Sequence, residues 1–541
     1  MKLTNIIVSI VLCSLVAIAV FFSVIKASVG VTGSLIAVIL GFLALSLIKR
    51  MGLLSGFEPR DVNLIQTAAS AAGSVAASSL FLAAFYLLDI EIPSWLLFAY
   101  LLFGGWLGVM LAIPLRAHFV CREQLPFPSG TACYELITAL TGGHEARRLG
   151  GWLGGAFVVG GLIKLGTVLN WIKGYFMAGG AVGKALLGLA IDPLLYGIGM
   201  IVGVRVGLTL LLSGLIVWFA VVPMLADSGI VPGAGYGEAK GFLVYPAIAW
   251  MLGSAFASLL FRTKHFEQDS PDLDTAQDES VWIISRSLWL VVVVLLSLAV
   301  LGILMVAGVS PVLSVVAVLA SLVFALASIK ALGATDMNPL STLSNLMLFL
   351  QAKLGAPVPV LPSSATTIIA SLGSDTMQDL RTGYLLKVEP RAQVWMQLLG
   401  VTIGAAVLTA LLHYLLGGNL IVLGSNEYPA ATTVAVAELS RSLSGAAPLP
   451  PYAAVAALLG GVGGLLLGMV EAYWPSRFLP VGIAVGIAMI LPLFYSAAIM
   501  LGALAGHLMD LLGISRSAVY ATAAGLILAD SLFGLVGLWP G

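Results

Sequence analysis

Charge is what this sequence has least of. Only 9% of its 541 residues are Asp, Glu, Lys or Arg, against roughly 25% in a soluble globular protein. A chain so poor in charge cannot clothe itself in polar surface, so its expected solvent is lipid. The few charges balance, with 25 basic and 25 acidic residues, which removes any bulk attraction to nucleic acid. Cysteine is scarce as well. Cys13, Cys121 and Cys133 show no CxxC spacing, so neither a disulfide framework nor a zinc-type site is indicated. The five histidines are scattered, with no HExxH pair, and His413 and His507 are expected to be satisfied inside a helix bundle. No Walker A sequence and no Gly-rich filter of the potassium-channel kind occurs. These absences call for no cofactor and argue against ATP-driven transport by this chain alone.

What the sequence does have is long apolar runs. Hydrophobic residues make up 60% of it, and mean hydropathy is +1.08. A spanning helix needs about 20 apolar residues. Runs of that kind fall at 5–25, 31–48, 62–88, 94–115, 150–170, 175–203, 206–226 and 240–261. They resume at 285–308, 311–330, 363–386, 392–416, 451–470, 478–502 and 515–536. The first run exceeds the roughly 7–15 residues of a signal-peptide core, so it reads as a retained span. Three segments, 120–141, 338–354 and 419–445, are amphipathic or broken by proline and read as re-entrant or as a further span. The expectation is an all-α integral membrane bundle of about 16 transmembrane helices. Its 61 glycines suit close helix–helix approach in lipid.

The strongly polar stretch 262–284 divides the chain into an N-terminal transmembrane half, 1–261, and a C-terminal one, 285–541. Lys49, Arg50 and Arg60 follow the second run, and Arg116, Arg122, Arg147 and Arg148 follow the fourth; Asp89 and Glu91 lie between. Basic loops face the cytoplasm. The N-terminus and the linker are therefore expected there, in a cell (plasma or inner) membrane. The halves look repeated. IQTAASAAGS (65–74) matches ATTIIASLGS (365–374) at an offset of 300, and PSGTACYEL (128–136) matches PAATTVAVAEL (429–439) near 301. Duplicated halves with broken helices at the midplane are a transporter design.

Four segments carry candidate chemistry. In REQLPFPSGTACYEL (122–136), Pro126 and Pro128 forbid a continuous helix, and Ser129 or Thr131 is placed to cap a new one. A helix starting inside the membrane offers free N–H groups to a substrate, with Gly130 allowing close approach and Glu135 one turn beyond Thr131. Asn63, Gln66, Thr67, Ser70 and Ser74 make a one-sided polar stripe, which should face protein or water rather than lipid. Asn338, in ATDMNPLSTLSNL (334–346), marks a second broken helix, capped by Ser341 or Thr342. These give Gln66, Thr67, Ser70, Pro128, Ser129, Gly130, Thr131, Glu135 and Asn338 as candidate substrate-binding residues. Asp375, Asp379 and Thr382 share one helical face in SDTMQDLRTGYLLKVEPR (374–391), with Arg381 projecting elsewhere. Two carboxylates one turn apart cannot easily both ionise in a dry site, which suits proton coupling.

Several of these stretches together carry a resemblance. NLIQTAASAAGS, REQLPFPSGTACYEL, MNPLS and DTMQDLRTGYLLKVEPRAQ resemble motifs of the oligopeptide transporter family, in particular its prokaryotic and yellow-stripe-like branch. RFLPVGIAVGIAMILPLFYSAAIMLG (477–502) is similar to that family's C-terminal segment, and the likeness covers about residues 60–505. The resemblance implies a polytopic secondary transporter of about 16 spans that moves small peptides or metal–chelator complexes, usually with protons. The NPG and KIPPR elements of the eukaryotic peptide-carrying branch are absent. The expected partners are the lipid bilayer, a small peptide or metal chelate, and protons; homo-oligomerisation stays open. An intramembrane enzyme, a protease or lipid transferase, is the rival from another class, and a channel the second. An enzyme would need a nucleophile–base pair or aspartates on facing spans, whereas Asp375 and Asp379 lie on one.

Overall fold

The computed structural model describes residues 3–27, 33–122, 124–125, 127–141, 146–177, 186–261, 285–335, 338, 340–355, 360–445, 450–474 and 479–537. The 262–284 linker and Pro126 lie outside these. The described chain is all-α apart from one small hairpin. In order it forms α1 (Leu3–Ala27), α2 (Gly33–Arg50), α3 (Pro59–Ala77), α4 (Ser94–Arg116), α5 (Pro128–Thr141) and α6 (Ala146–Val168). Strands β1 (Tyr175–Met177) and β2 (Gly188–Ala190) pair antiparallel, followed by α7 (Pro193–Ile216) and α8 (Tyr236–Phe261). Then come α9 (Arg286–Val306), α10 (Pro311–Thr335), α11 (Leu340–Lys353), α12 (Val360–Leu385) and α13 (Pro390–Leu411). Last are α14 (Ala431–Leu443), α15 (Ala453–Tyr473), α16 (Gly482–Ile490), α17 (Leu493–Leu511) and α18 (Arg516–Gly537).

Among the described residues, twelve helices are long and apolar enough to cross a membrane, which makes this an all-α polytopic membrane protein. The helix α12 is not one of the twelve, although it runs 26 residues. It carries too many hydroxyls, amides and charges for lipid, and almost every one of its residues is buried in protein. That is where polar groups on a helix at membrane depth must go.

Three apolar runs are subdivided differently from the sequence reading. The run 175–203 is not one span: its first part is the hairpin, and a helix begins only at Pro193. Tyr175, Phe176 and Met177 are apolar but exposed, so hydropathy alone misplaces them. The helix α7 then continues through a π-helical turn, Val217–Val221, to Asp227, joining what read as two runs. The run 478–502 breaks at Leu491–Pro492 into α16 and α17, because proline cannot supply the next helical N–H. The helix α5 starts at Pro128 and α11 at Leu340, so Ser129, Thr131, Ser341 and Thr342 sit inside first turns rather than at caps. Proline at the first helical position costs no hydrogen bond, which explains the start at Pro128. His413 and His507 are exposed on their helices, not enclosed in a bundle.

Two compact units emerge, and each draws on both sequence halves. The first comprises residues 1–21, 32–147 and 263–418; the second comprises 22–31, 148–262 and 419–541. At the heart of the first unit, α12 packs against α3, α4, α5, α10 and α11, while α13 packs against α3 and α4. Approach is close: a Cβ on Gly400 of α13 would lie 2.0 Å from the Ala68 carbonyl oxygen of α3. In the second unit, α7 packs on α16, α17 and α18, and α8 packs on α14, α15 and α16.

The element order repeats. After α3 comes α4, ending in a π-helical turn (Ala117–Arg122), then α5; after α12 comes α13, ending in another (Leu412–Gly417), then α14. Phe127 and Ala430, the residues entering α5 and α14, both have φ of 41°. Such a conformation costs a non-glycine residue of order 1–3 kcal/mol. Each is tied by its N–H to a distant carbonyl of its own unit, Phe127 to Gly333 and Ala430 to Ile25. The repeated segments 65–74 and 365–374 fall on α3 and α12, which pack together, and the packings α3–α13 and α12–α4 are exchanged when the halves are exchanged.

Candidate functional site

The first unit holds a buried carboxylate surrounded by amides. Asp379 of α12 is 1% exposed. Its Oδ1 accepts a hydrogen bond from Gln66 Nε2 of α3 at 2.6 Å, and its Oδ2 accepts one from Gln397 Nε2 of α13 at 2.7 Å. Ser70 and Asp375 are further electrostatic neighbours. No cation pairs with Asp379 among the described residues. A buried carboxylate with only neutral donors is unusual, because an unpaired charge at such depth costs several kcal/mol.

The amides form a directed chain. Gln393 Nε2 donates to Asn63 Oδ1 (3.1 Å) and to the Asp379 backbone carbonyl (2.7 Å). Asn63 Nδ2 donates to Gln66 Oε1 (3.1 Å), and Gln66 Nε2 in turn donates to the carboxylate. Three helices are thereby fixed around one acidic group, and hydrogen bonds in series polarise one another. The expected polar stripe of α3 is thus turned wholly into protein. Ser70 shares a hydrogen bond with Ser34 of α2 at 2.7 Å. Thr67 is buried too, and its hydroxyl has no hydrogen-bond partner.

The broken helix α5 joins this site through its backbone. Thr382, one turn beyond Asp379, donates its hydroxyl to the Gly130 carbonyl at 2.8 Å. Gly130 has no room for a side chain, since a Cβ there would lie 2.5 Å from the Gln378 carbonyl oxygen. Ser129 is buried beside it, Thr131 is half-buried, and Pro128 and Glu135 are exposed. Glu135 is therefore on the open side of α5, away from the carboxylate cluster. Asp375 is half-buried and accepts from Ser371 at 3.3 Å. Arg381 reaches the Val120 carbonyl in the π-helical turn after α4 and lies over the Tyr384 ring. Asn338 sits elsewhere: it accepts from Ser328 of α10 and donates to Ser374 of α12 at 2.7 Å, tying the two helices.

Sequence reasoning missed two groups. The first is the amide pair of α13. Gln393 and Gln397 stand at i, i+4 in an apolar run, a polar stripe too narrow to notice beside the charges of α12. The second is an ionic quartet in the other unit. Lys26 Nζ of α1 lies 2.6 Å from Asp192 Oδ2 and 2.8 Å from Asp530 Oδ2 of α18. Lys164 Nζ of α6 lies 3.4 Å from Asp530 Oδ1. Lys26 and Asp530 are each 1% exposed. The available signal was four lone charges, each at the edge of or inside an apolar run, which marks functional positions in membrane proteins. Among the described residues, no group of three or more His, Cys, Asp and Glu side chains could hold a metal ion.

A carboxylate enclosed among the helices of a polytopic membrane protein whose element order repeats is an arrangement found in membrane transporters. The model of the OPT oligopeptide transporter protein family matches residues 3–539, and the chain belongs to that family. A 195-residue stretch is 29% identical to a Haemophilus influenzae protein named as an oligopeptide transporter, covering 33% of this chain and 29% of that one. A rice protein (Oryza sativa subsp. japonica) named as a probable metal-nicotianamine transporter is 24% identical, over 81% of this chain and 69% of its own. A metal-nicotianamine transporter of Arabidopsis thaliana is 24% identical over 58% of this chain and 55% of its own.

Proposed function

We propose that this chain is a proton-coupled symporter of small peptides or metal–chelate complexes, with its N-terminus in the cytoplasm of a cell membrane. Family membership and the names of the relatives support transport. The observation that carries proton coupling is Asp379, a carboxylate enclosed in protein and held by the neutral donors Gln66 and Gln397. The cost of burying its charge is opposed by two charge-assisted hydrogen bonds, each worth about 1.5–3 kcal/mol. Loading a proton removes the charge and weakens both bonds, so α3 and α13 lose their hold on α12. The Thr382–Gly130 bond carries the change to α5. There Thr131 and Glu135, one turn apart, are the groups proposed to meet the substrate, with Asp375 as a second proton carrier. A catalytic reading finds no support in this geometry: both aspartates stand on one helix, with amides rather than a nucleophile around the buried one.

The test is uptake into proteoliposomes of a labelled dipeptide and of nickel(II)–nicotianamine, with and without an inward pH gradient. Saturable accumulation that collapses with a protonophore is expected for one of them. Uptake indifferent to the proton gradient removes the coupling; no uptake of either cargo removes the substrate assignment.

A further inference from the structure

The second unit contains a cleft of about 400 Å³, within the range of small-molecule sites. All of its lining comes from that unit. Lys164 and Asp192 are in its wall, so the ionic quartet opens onto it. Burial opposes ionisation of Asp192, but the ammonium groups of Lys26 and Lys164 outweigh it and hold its carboxyl below the ordinary range. Asp192 uses Oδ2 on Lys26, while its buried Oδ1 has no hydrogen-bond partner.

The mouth repeats this charge pairing. Lys173 and Glu427 line it, both exposed, one of each sign. Tyr175 of β1 stacks on Phe494 of α17, with ring centroids 5.5 Å apart, and supplies an aromatic wall. The Tyr495 hydroxyl donates to the Glu427 carbonyl, fixing the mouth loop to α17. Two ammonium groups and two carboxylates in one cleft match neither a simple anion nor a simple cation.

We infer that this cleft is a binding site for a small zwitterion carrying a free amino and a free carboxylate group, such as the two ends of a short peptide. The ligand's ammonium meets Glu427 in the field of Asp192 behind it; its carboxylate meets Lys173 in the field of Lys164. Identifying this ligand with transported cargo rests on the symporter reading; the binding itself does not. The cleft lies where α1 ends at Lys26, so a cytoplasmic N-terminus makes it outward-facing.

The experiment uses the full chain in phosphatidylcholine nanodiscs and titrates dialanine, N-acetyl-dialanine and dialanine amide by calorimetry. Dialanine is expected to bind, and blocking either end to weaken it about tenfold or more. Lys173→Gln should erase discrimination against the amide while keeping that against the acetyl form, and Glu427→Gln should do the reverse. Both positions are exposed, so neither variant threatens folding. Absence of dialanine binding, or selectivity unchanged in both variants, overturns the site. In nanodiscs containing phosphatidylethanolamine, unchanged dialanine affinity supports a free ligand. Competition that either variant relieves assigns the cleft to a lipid headgroup and overturns the free-ligand proposal. Binding with the expected selectivity but without dialanine uptake refutes the symporter reading alone; uptake with flat selectivity refutes the cleft alone.

Discussion

Replacing Asp379 by Asn separates the proton from the shape of the site. Gln66 is held in one orientation because its Oε1 already accepts from Asn63, so its Nε2 must go on donating, and the Asn carbonyl can receive it. The new Asn Nδ2 would face Gln397 Nε2, donor against donor. Gln397 can turn its amide over, because its Oε1 is buried without a partner and loses nothing by moving. The turn exchanges one unpaired atom for another and removes a buried charge. The net stability change is therefore expected to be about 1 kcal/mol or less. Asp379→Ala instead strands two buried N–H donors at about 1–3 kcal/mol each, about 2–6 kcal/mol in all. Thermal unfolding of the purified protein should rank wild type and Asn close together and Ala well below. In proteoliposomes the Asn variant should lose accumulation driven by a pH gradient yet retain counterflow exchange of preloaded substrate. Concentrative uptake by Asp379→Asn refutes Asp379 as the coupling site. Loss of exchange in a variant that remains as stable as wild type makes the cluster a substrate contact instead.

Gly130→Ala places a methyl group against the Gln378 carbonyl, so uptake should fall sharply; overpacking of this kind costs about 1–3 kcal/mol, and normal uptake by Gly130→Leu would mean that α5 does not bear on α12. Lys26→Met leaves Asp192 and Asp530 without their shared cation, and unfolding should show a loss of about 3–5 kcal/mol; an unchanged midpoint would show the quartet to be solvated. For topology, a cysteine at Thr275 in a thiol-free background should resist an impermeant reagent added outside intact cells, while one at Asn170, on the cleft mouth, should react; the reverse pattern inverts the orientation.

The fold class was legible because lipid as solvent leaves a coarse signature, namely runs long enough to span. The helix start at Pro128 was legible too, since a missing N–H acts locally, but the break at Pro492 was passed over, and Pro114 and Pro246 sit inside unbroken helices. What hydropathy could not see was depth. Tyr175 to Met177 are as apolar as any spanning segment yet lie exposed in a hairpin. Asp379 was legible as a charge out of place, but its partners Gln66 and Gln397 are neutral and lie on other helices. The quartet was illegible for a plainer reason: Lys26 and Asp530 are 504 positions apart, and nothing local to either announces the other.

The duplicated order of elements bears on why the acid and one of its two donors, Gln66, come from different halves. If α3 and α12 descend from one helix, their polar faces began alike and came to face one another across the packing seen in the first unit. Two equal carboxylates at such a contact would repel; two equal amide stripes would carry no proton. The contact that formed is unequal, with α3 supplying Asn63, Gln66 and Ser70 as neutral groups and α12 supplying Asp375 and Asp379 from positions that match Val75 and Ser79 in the first half. The amides of α13 then close the shell from the second half. One carboxylate held by neutral amides is what makes the site work, so it can be tested by adding a second carboxylate. Gln66→Glu puts a second carboxyl against Asp379, and the two must share a proton, because like charges at that distance cannot both ionise. The variant should fold at neutral pH with one proton trapped between the carboxyls, and accumulation should fail while exchange survives, as in Asp379→Asn. Gradient-driven accumulation at the wild-type level by Gln66→Glu would show that the Gln66–Asp379 contact is not part of the coupling device.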